Sequence, residues 1–457
     1  MKAIFELIWR HRWFFLLATA AGLALRLFFV FRYPVVAGDS FIYGDIAKNW
    51  LNHGIYGLSS ANGPQPTLIR LPGYPGFLAV IFSLFGQEHY GAVMITEAFI
   101  DTNACLAIAA LALELFGERT AKVTYLLAAL CPFTANYTAT PLTETLSIFC
   151  TAHGLYYGVR GLKALAAGGQ GWLLWIVSGL WIAAGIYMRP DNLLVLPPLG
   201  LALFIYFLRS ANRRAIIVAT ALLVSASLLP LAPWTVRNWR TFHVFQPLAP
   251  RYANDPGEFV PMGFNRWMKT WIVDYVSTEE VYWRVPNEPL DIDDLPVRAF
   301  DSQQQYEVTD ELVSDYNQER DIDPEMDARF EALARERIAH SHFRYYAWLP
   351  FLRITNMWLR PRTELLAIET RWWEFAQHPW KSAFAIVWGA LNLALVLAAL
   401  RGWWTNQLGI YGIVLIGFVL LRSAFLGSLE NPEPRYMLEC FPVVLVLAGA
   451  AVAKRPT

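Results

Sequence analysis

The chain has 457 residues, 56% of them hydrophobic and only 16% charged, with a mean hydropathy of +0.33 and no formal net charge. Soluble domains carry about 25% charged residues, so this composition excludes one large water-soluble core and points to a bilayer. The neutral balance excludes the basic footprint of a nucleic-acid binder. The four cysteines, Cys105, Cys131, Cys150 and Cys440, lie in or beside apolar runs without CxxC spacing. They read as buried thiols rather than a disulfide framework or a zinc site.

Basic residues precede the first apolar run as in a signal peptide, but the run continues to about Phe31 with no small-residue cleavage site. It is therefore expected to be a retained span. A hydrocarbon core about 30 Å thick takes about 20 apolar residues in a helix. On that measure the spans are residues 13–31, 90–116, 121–137, 142–159, 172–188, 193–208, 215–236, 382–400, 409–425 and 437–452. Residues 74–86 are too few to cross and read as a re-entrant or interfacial helix. Ten crossings place both termini on one side. Lys2, Arg10 and Arg12, Arg119 and Lys122, Arg160 and Lys163, Arg209, Arg213 and Arg214, Arg401, and Lys454 and Arg455 then share one face, which the positive-inside rule makes cytoplasmic. A crossing at 74–86 would throw the later clusters to the opposite side.

The first outer loop, residues 33–75, is longer than structureless connectors usually are and has enough aromatic and aliphatic residues to stay ordered. Residues 237–381 form a hydrophilic outer region. Within it, residues 252–342 hold 21 Asp and Glu against 8 Lys and Arg, more than half of the chain's 37 acids. Residues 327–351, with Phe330, Leu333, Ala334 and Ile338 at helical spacing, read as an amphipathic helix. It runs into an aromatic segment, 345–358, expected at the lipid interface. The acids of DIDPEMD, 321–327, alternate as in a calcium loop but lack the Gly and Glu that such a loop needs, and read as a solvated acidic face. The expected fold class is an all-α polytopic membrane protein with about ten transmembrane helices, re-entrant or interfacial helices in the first outer loop and a mainly helical outer domain. The expected parts are an N-terminal transmembrane catalytic module (1–236), an extracytoplasmic domain (237–381) and C-terminal transmembrane helices (382–457).

That topology sorts the ionisable residues by face. Asp39, Tyr43, Asp45 and Arg70 lie in the first outer loop, and Glu97 and Asp101 in the outer half of the second span. Glu144 opens the fourth span, Arg189 and Asp191 form the turn MRPDN, Arg237 ends the seventh span, and Glu430, Glu433 and Arg435 form ENPEPRY. Ionisable groups at membrane depth are expensive and mark functional sites by default. Structural roles compete with that reading. Arg189, Arg237 and Arg435 at helix ends could snorkel to headgroups. Glu97 and Asp101, four apart on one helical face, could serve buried polar contacts, and Glu144 meets a positive helix end. Asp39 could N-cap a helix over 41–51, with Asp45 on its exposed face. Arg70, before Leu-Pro-Gly-Tyr-Pro, has the weakest structural excuse.

GDSFIYGDIAKNWLNHGIYG, then RLPGYPGFLAVIFSLFG, LTET and the late PRY before a final apolar span resemble the GT-C membrane glycosyltransferases. The nearest resemblance is to the family 39 protein mannosyltransferase-like group, which includes the bacterial aminoarabinose transferases of lipid A. It covers roughly the first 240 residues and the last outer loop, in order and topology more than in any one motif. The resemblance implies a GT-C fold and transfer of a sugar from a polyprenyl-phosphate carrier to an acceptor on the outer face. It implies Asp39 as the catalytic or acceptor-orienting acid, Glu144 as a second acid and Arg70 on the donor phosphate. Arg189 and Arg435 are expected to join Arg70, and Tyr43, Tyr74, Glu97, Asp101, Arg237 and Glu433 to line the substrate pocket. Many relatives carry two adjacent acids in the first loop; here Ser40 follows Asp39.

The residue types suit the reaction. The planar fork of Arg binds phosphate oxygens bidentately, and a carboxylate takes the acceptor's proton. Base and leaving group on opposite faces of the sugar give an inverting displacement. No divalent metal and no cofactor beyond the lipid-linked sugar are expected. The expected partners are that donor, a lipid, glycan or protein acceptor and membrane lipids, with no nucleic acid, and the chain is expected to be a monomer of the cytoplasmic (inner) membrane with cytoplasmic termini. The competing function is a transporter or lipid flippase with an outward-facing acidic pathway. Transporters place such groups near the midplane in related halves, whereas here they crowd one face and no repeat is visible.

Overall fold

A computed structural model describes residues 2–453; Lys454 and Arg455, expected at the inner face, lie outside the described residues. The chain forms two compact units: Met1–Glu258 with Ala394–Val419 and Leu438–Thr457, and Phe259–Leu393 with Leu420–Met437.

The first unit opens with α1 (Lys2–Arg10) and α2 (Arg12–Arg32). The first loop then folds as α3 (Asp39–His53), the paired two-residue strands β1 (Gly57–Leu58) and β2 (Gln65–Pro66), and α4 (Gly73–Phe85). It continues through α5 (Tyr90–Phe116), α6 (Glu118–Ala129), α7 (Pro132–Tyr137), α8 (Glu144–Ala166), α9 (Trp172–Met188), α10 (Leu196–Arg209), α11 (Arg213–Leu228) and α12 (Ala232–Phe242). The second unit holds α13 (Met262–Lys269), α14 (Tyr275–Glu280), α15 (Gln303–Glu319), α16 (Pro324–His340) and α17 (Leu349–Leu359). Helices α18 (Pro379–Thr405) and α19 (Ile410–Gly427) contribute residues to both units, and α20 (Phe441–Ala453) returns to the first.

Among the described residues, seven helical segments are long and apolar enough to cross a membrane: Arg12–Arg32, Tyr90–Phe116, Pro190–Arg209, Arg213–Phe242, Pro379–Thr405, Ile410–Gly427 and Pro434–Ala453. The molecule is a multi-pass membrane protein. Three other expected spans look different. Helix α8 has 23 residues, with Glu144 at one end and Arg160 and Lys163 near the other; α9 has 17. The stretch 121–137 is not one helix: α6 stops at Ala129 and α7 restarts at Pro132. Pro132 lacks an N–H and biases the residue before it away from helical geometry. Helix α4 has 13 residues, about 20 Å at 1.5 Å per residue, which is short of the hydrocarbon core.

The two ends of the first unit differ in charge chemistry. At one end Arg10 pairs with Glu118, while Arg160 Nε and Lys163 Nζ each lie 3.4 Å from the Glu114 carboxylate. Glu144 begins the same helix that ends near Lys163, about 28 Å away along its axis. The ends of the bundle are therefore a basic one and one that carries the first loop.

In the second unit, Phe264, Trp267, Trp271, Leu312, Tyr316 and Phe330 form a core without lipid. The acids of 321–327 are largely solvated, as expected, with Asp321, Asp323 and Glu325 exposed, and two of them also hold backbone. Asp323 caps α16 by accepting from Met326 N at 2.7 Å, and Asp327 accepts from Phe264 N at 2.9 Å. The amphipathic helix expected over 327–351 ends at His340. Ser341 turns extended and its hydroxyl accepts the N–H of Arg344 at 3.2 Å, so it caps the following π turn and α17 instead of continuing α16.

Candidate active site

The first loop is stapled from several sides. Gly54, in the left-handed region at φ 68°, ends α3, as glycine commonly does. Asp45 stays part-exposed and also staples the loop: its carboxylate accepts from Ser59 N at 2.7 Å and Ser59 Oγ at 2.8 Å. Asp255 accepts from Leu68 N at 2.8 Å. Arg237 donates to Thr67 O and Tyr56 O, both at 2.7 Å, and its guanidinium lies among the rings of Tyr56, Trp234 and Phe242. Expected in the substrate pocket, Arg237 is instead a clamp on the loop. Tyr56 passes the restraint on, its hydroxyl donating to Arg70 O at 2.9 Å.

So held, Arg70 meets Asp39. Its Nη2 lies 2.7 Å from Asp39 Oδ1, Nη1 donates to Ile69 O at 3.1 Å, and the guanidinium sits 5.9 Å from the centre of the Tyr43 ring. Asp39 is the first residue of α3, with Gly38 as its N-cap; it is not the cap itself. Tyr43 packs edge-on against Tyr74 at 5.0 Å, and the Tyr74 hydroxyl donates to Glu97 Oε1 at 2.5 Å. The start of α4 is pressed against the end of α9: a Cβ on Gly73 would lie 2.5 Å from Tyr187 O. Beyond α9, Arg189 donates from Nη1 to Glu144 Oε1 at 3.0 Å, and its Nε lies 3.3 Å from Asp191 and 3.2 Å from Glu439.

Two carboxylate–guanidinium groups thus flank Tyr43. Burial, and then the Asp39 charge, push its hydroxyl up to about 12; Glu144 adds to the rise, while Arg70 and Arg189 oppose it. Both groups are therefore within electrostatic reach of one phenol. They differ in access: the Asp39 and Arg70 side chains are 27% and 20% exposed, those of Glu144 and Glu439 2% and 0%.

Three other expected residues have ion-pair partners of their own. Asp101 is bound by Arg26 of α2, Nε at 2.8 Å and Nη2 at 2.6 Å, and does not join the Tyr43 group. Glu433 and Arg435 belong to the second unit, where Arg435 Nε lies 2.5 Å from Glu433 Oε2 and the Tyr436 hydroxyl donates to Glu433. Sequence reasoning misses Arg26 and Glu439. A mid-span arginine was the available signal for the first, whereas Glu439 hides at the mouth of the last apolar run. Among the described residues no three His, Cys, Asp or Glu side chains are grouped as a metal ion requires.

The profile of the family described as Dolichyl-phosphate-mannose-protein mannosyltransferase matches residues 66–234. No curated protein sequence matches. Among solved structures, the oligosaccharyltransferase AglB of Archaeoglobus fulgidus, in complex with an inhibitory peptide and a dolichol-phosphate, superposes with a TM-score of 0.52 over 97% of this chain at 12% identity. This is the GT-C fold. The same oligosaccharyltransferase tethered to an acceptor peptide gives a TM-score of 0.53, again at 12% identity and over 97% of this chain. The chain spans about half of that protein, 50% and 49% of its length in the two structures. ArnT of Cupriavidus metallidurans bound to undecaprenyl phosphate is 12% identical, covering 96% of this chain and 77% of its own, at a TM-score of 0.40. Within the GT-C frame, the profile match includes Arg70, Tyr74, Glu97, Glu144 and Arg189 and begins after Asp39 and Tyr43.

Proposed function

We propose that this protein is a GT-C glycosyltransferase that moves a sugar from a polyprenyl-phosphate carrier to an acceptor at the outer face of the membrane. One observation carries the reading: a proton acceptor and a phosphate binder, Asp39 and Arg70, stand 2.7 Å apart and part-exposed, with Tyr43 in electrostatic reach of both them and the Glu144–Arg189 group. The family description and the dolichol-phosphate in AglB support a lipid phosphate as the donor class. The basic end of the first unit supports cytoplasmic termini in an inner membrane, and on that reading the Asp39–Arg70 end faces the outer side.

At rest the two charges neutralise each other. A lipid phosphate reaching Arg70 draws the guanidinium toward itself, because a charge-assisted bidentate bond to phosphate is the stronger use of that fork. Asp39 is then released to accept the acceptor's hydroxyl proton as the acceptor oxygen bonds to the anomeric carbon. The bond from that carbon to the phosphate oxygen breaks, and the phosphate leaves with the electron pair. Attack and departure on opposite faces invert the anomeric centre. A cation already in place where charge develops is usually the largest catalytic term. Arg189, shared among Glu144, Asp191 and Glu439, is assigned to orienting Glu144 more than to binding phosphate. No divalent ion is proposed, since the acids that could hold one are already met by guanidinium groups; activity abolished by chelator and restored by Mn²⁺ or Mg²⁺ would reverse this.

In detergent, the purified protein is expected to move radiolabelled sugar from polyprenyl phosphate onto a cell-envelope extract. Asp39→Asn is expected to slow transfer by about 10²–10⁴-fold at an unchanged unfolding temperature. A folded Asp39→Asn protein with the full rate removes Asp39 from the mechanism.

A further inference from the structure

At its basic end the first unit leaves a cavity of about 190 Å³, lined by His11, Phe14, Lys122, Val123 and Leu126. His11 stands at the joint between α1 and α2, and the facing wall is the first part of α6. Contacts above and below keep the two walls from closing. Arg10 pairs with Glu118 near the helix starts. Deeper, the Phe15 and Tyr125 rings stand 4.9 Å apart and the Thr19 and Tyr125 hydroxyls share a hydrogen bond at 2.6 Å.

The lining is graded from polar to apolar. Those contacts show that α2 and α6 leave the basic end side by side, so His11 and Lys122 stand at the lip. Phe14 and Leu126, three and four residues further on, lie about one helical turn deeper. Trp9 and Trp13, on either side of His11, are 75% and 66% exposed, with the Arg12 guanidinium 6.0 and 5.9 Å from their ring centres. Exposed tryptophans of this kind sit at the level of the lipid headgroups. Lys122 is half-buried, and among the described residues neither its ammonium nor the His11 ring has a hydrogen-bond or ion-pair partner. Glu118, one turn before Lys122 on the same helix, is taken up by Arg10. A cation at the lip of an apolar cavity between membrane helices suits a phosphate headgroup with its acyl chains attached.

We propose that this cavity binds an anionic phospholipid of the leaflet at the basic end, its phosphate on Lys122 and His11 and the start of a chain over Phe14, Val123 and Leu126. Purified protein in detergent, titrated with phosphatidylglycerol and followed by native mass spectrometry, is expected to take up the lipid saturably and to take up phosphatidylcholine more weakly. Lys122→Gln is expected to weaken phosphatidylglycerol binding by about tenfold at an unchanged unfolding temperature, and Val123→Trp, which fills the cavity, to remove it. Arg119→Gln, the same loss of charge at an exposed neighbour outside the lining, is expected to leave it unchanged. Glycerol 3-phosphate, a headgroup without chains, is expected not to displace the lipid. Binding that never saturates, equal weakening by Lys122→Gln and Arg119→Gln, or full binding by a folded Val123→Trp protein overturns the proposal. Displacement by glycerol 3-phosphate overturns the lipid as the ligand.

Discussion

Two arginine–aspartate pairs of the first unit sit in opposite settings. Arg26 and Asp101 are 0% and 3% exposed; Arg70 and Asp39 are 20% and 27% exposed. Arg26 spreads its N–H groups over Asp101, Gly22 O, Ala129 O, Ala128 O and Cys105 Sγ. The two alanine carbonyls close α6, where helix ends leave carbonyls short of partners; Ala128 O also accepts the backbone N–H of Cys131 at 3.3 Å. Arg26 therefore repairs a broken span. Arg70 is held in place by Tyr56, which binds its carbonyl, and by Arg237, which binds the loop backbone before it, and its guanidinium stays at the lip with an acid beside it. Burial and the destination of each N–H separate the structural arginine from the one proposed to bind phosphate; residue type and membrane depth do not.

The comparison is broken most severely at its buried member. Arg26→Leu leaves Asp101 buried and removes the arginine donor from Ala129 O, a loss of about 3–5 kcal/mol of stability. The expected result is a sharply lower unfolding temperature in detergent, with near-normal transfer per folded molecule. A variant that unfolds like wild type but transfers poorly would move Arg26 into the mechanism. Arg237→Ala should act between the two pairs, freeing Thr67 O and Tyr56 O and loosening the segment that presents Arg70. We expect a several-fold rise in donor KM and only a small loss of stability; an unchanged KM would show that the loop holds itself.

The smallest effect sharpens the scale with a third pair. In the second unit Asp301 takes a fork from Arg344, at 2.7 and 2.6 Å, with Arg337 alongside at 3.3 Å. Although burial works against it, the Arg344 hydrogen bonds and the Arg337 charge hold the Asp301 carboxyl below its usual range. Its folded pKa is thus below the unfolded value of about 3.9, so its stabilisation is complete above that pH and is lost as pH falls through the folded pKa. Asp301→Asn should flatten the acid limb of the unfolding curve below about pH 4 and change little at neutrality. An identical acid limb in wild type and variant would show that the pair contributes nothing.

The helices, their order and the first loop are legible in the sequence because hydropathy and charge repeat at the scale of the bilayer. Glu144 is legible as a helix start because Pro-Leu-Thr-Glu is one, and α8 begins there. What the sequence does not show is pairing. Asp101 and Glu97 look equivalent, four residues apart on one face, yet one is claimed by an arginine 75 residues earlier and the other by Tyr74. Arg237 looks like a pocket residue because it ends an apolar run in an outward turn. Its two backbone acceptors, 170 and 181 residues away, decide otherwise. Glu439 sits next to apolar residues that disguise it, and burial is the property that singles it out.

The central claim is that a lipid phosphate exchanges places with Asp39 on Arg70. A density map of the protein with polyprenyl phosphate tests it directly. The account predicts a phosphate within hydrogen-bond reach of Arg70 and the Asp39 carboxylate turned away from that guanidinium. A phosphate bound elsewhere, with the Asp39–Arg70 contact intact, would contradict it.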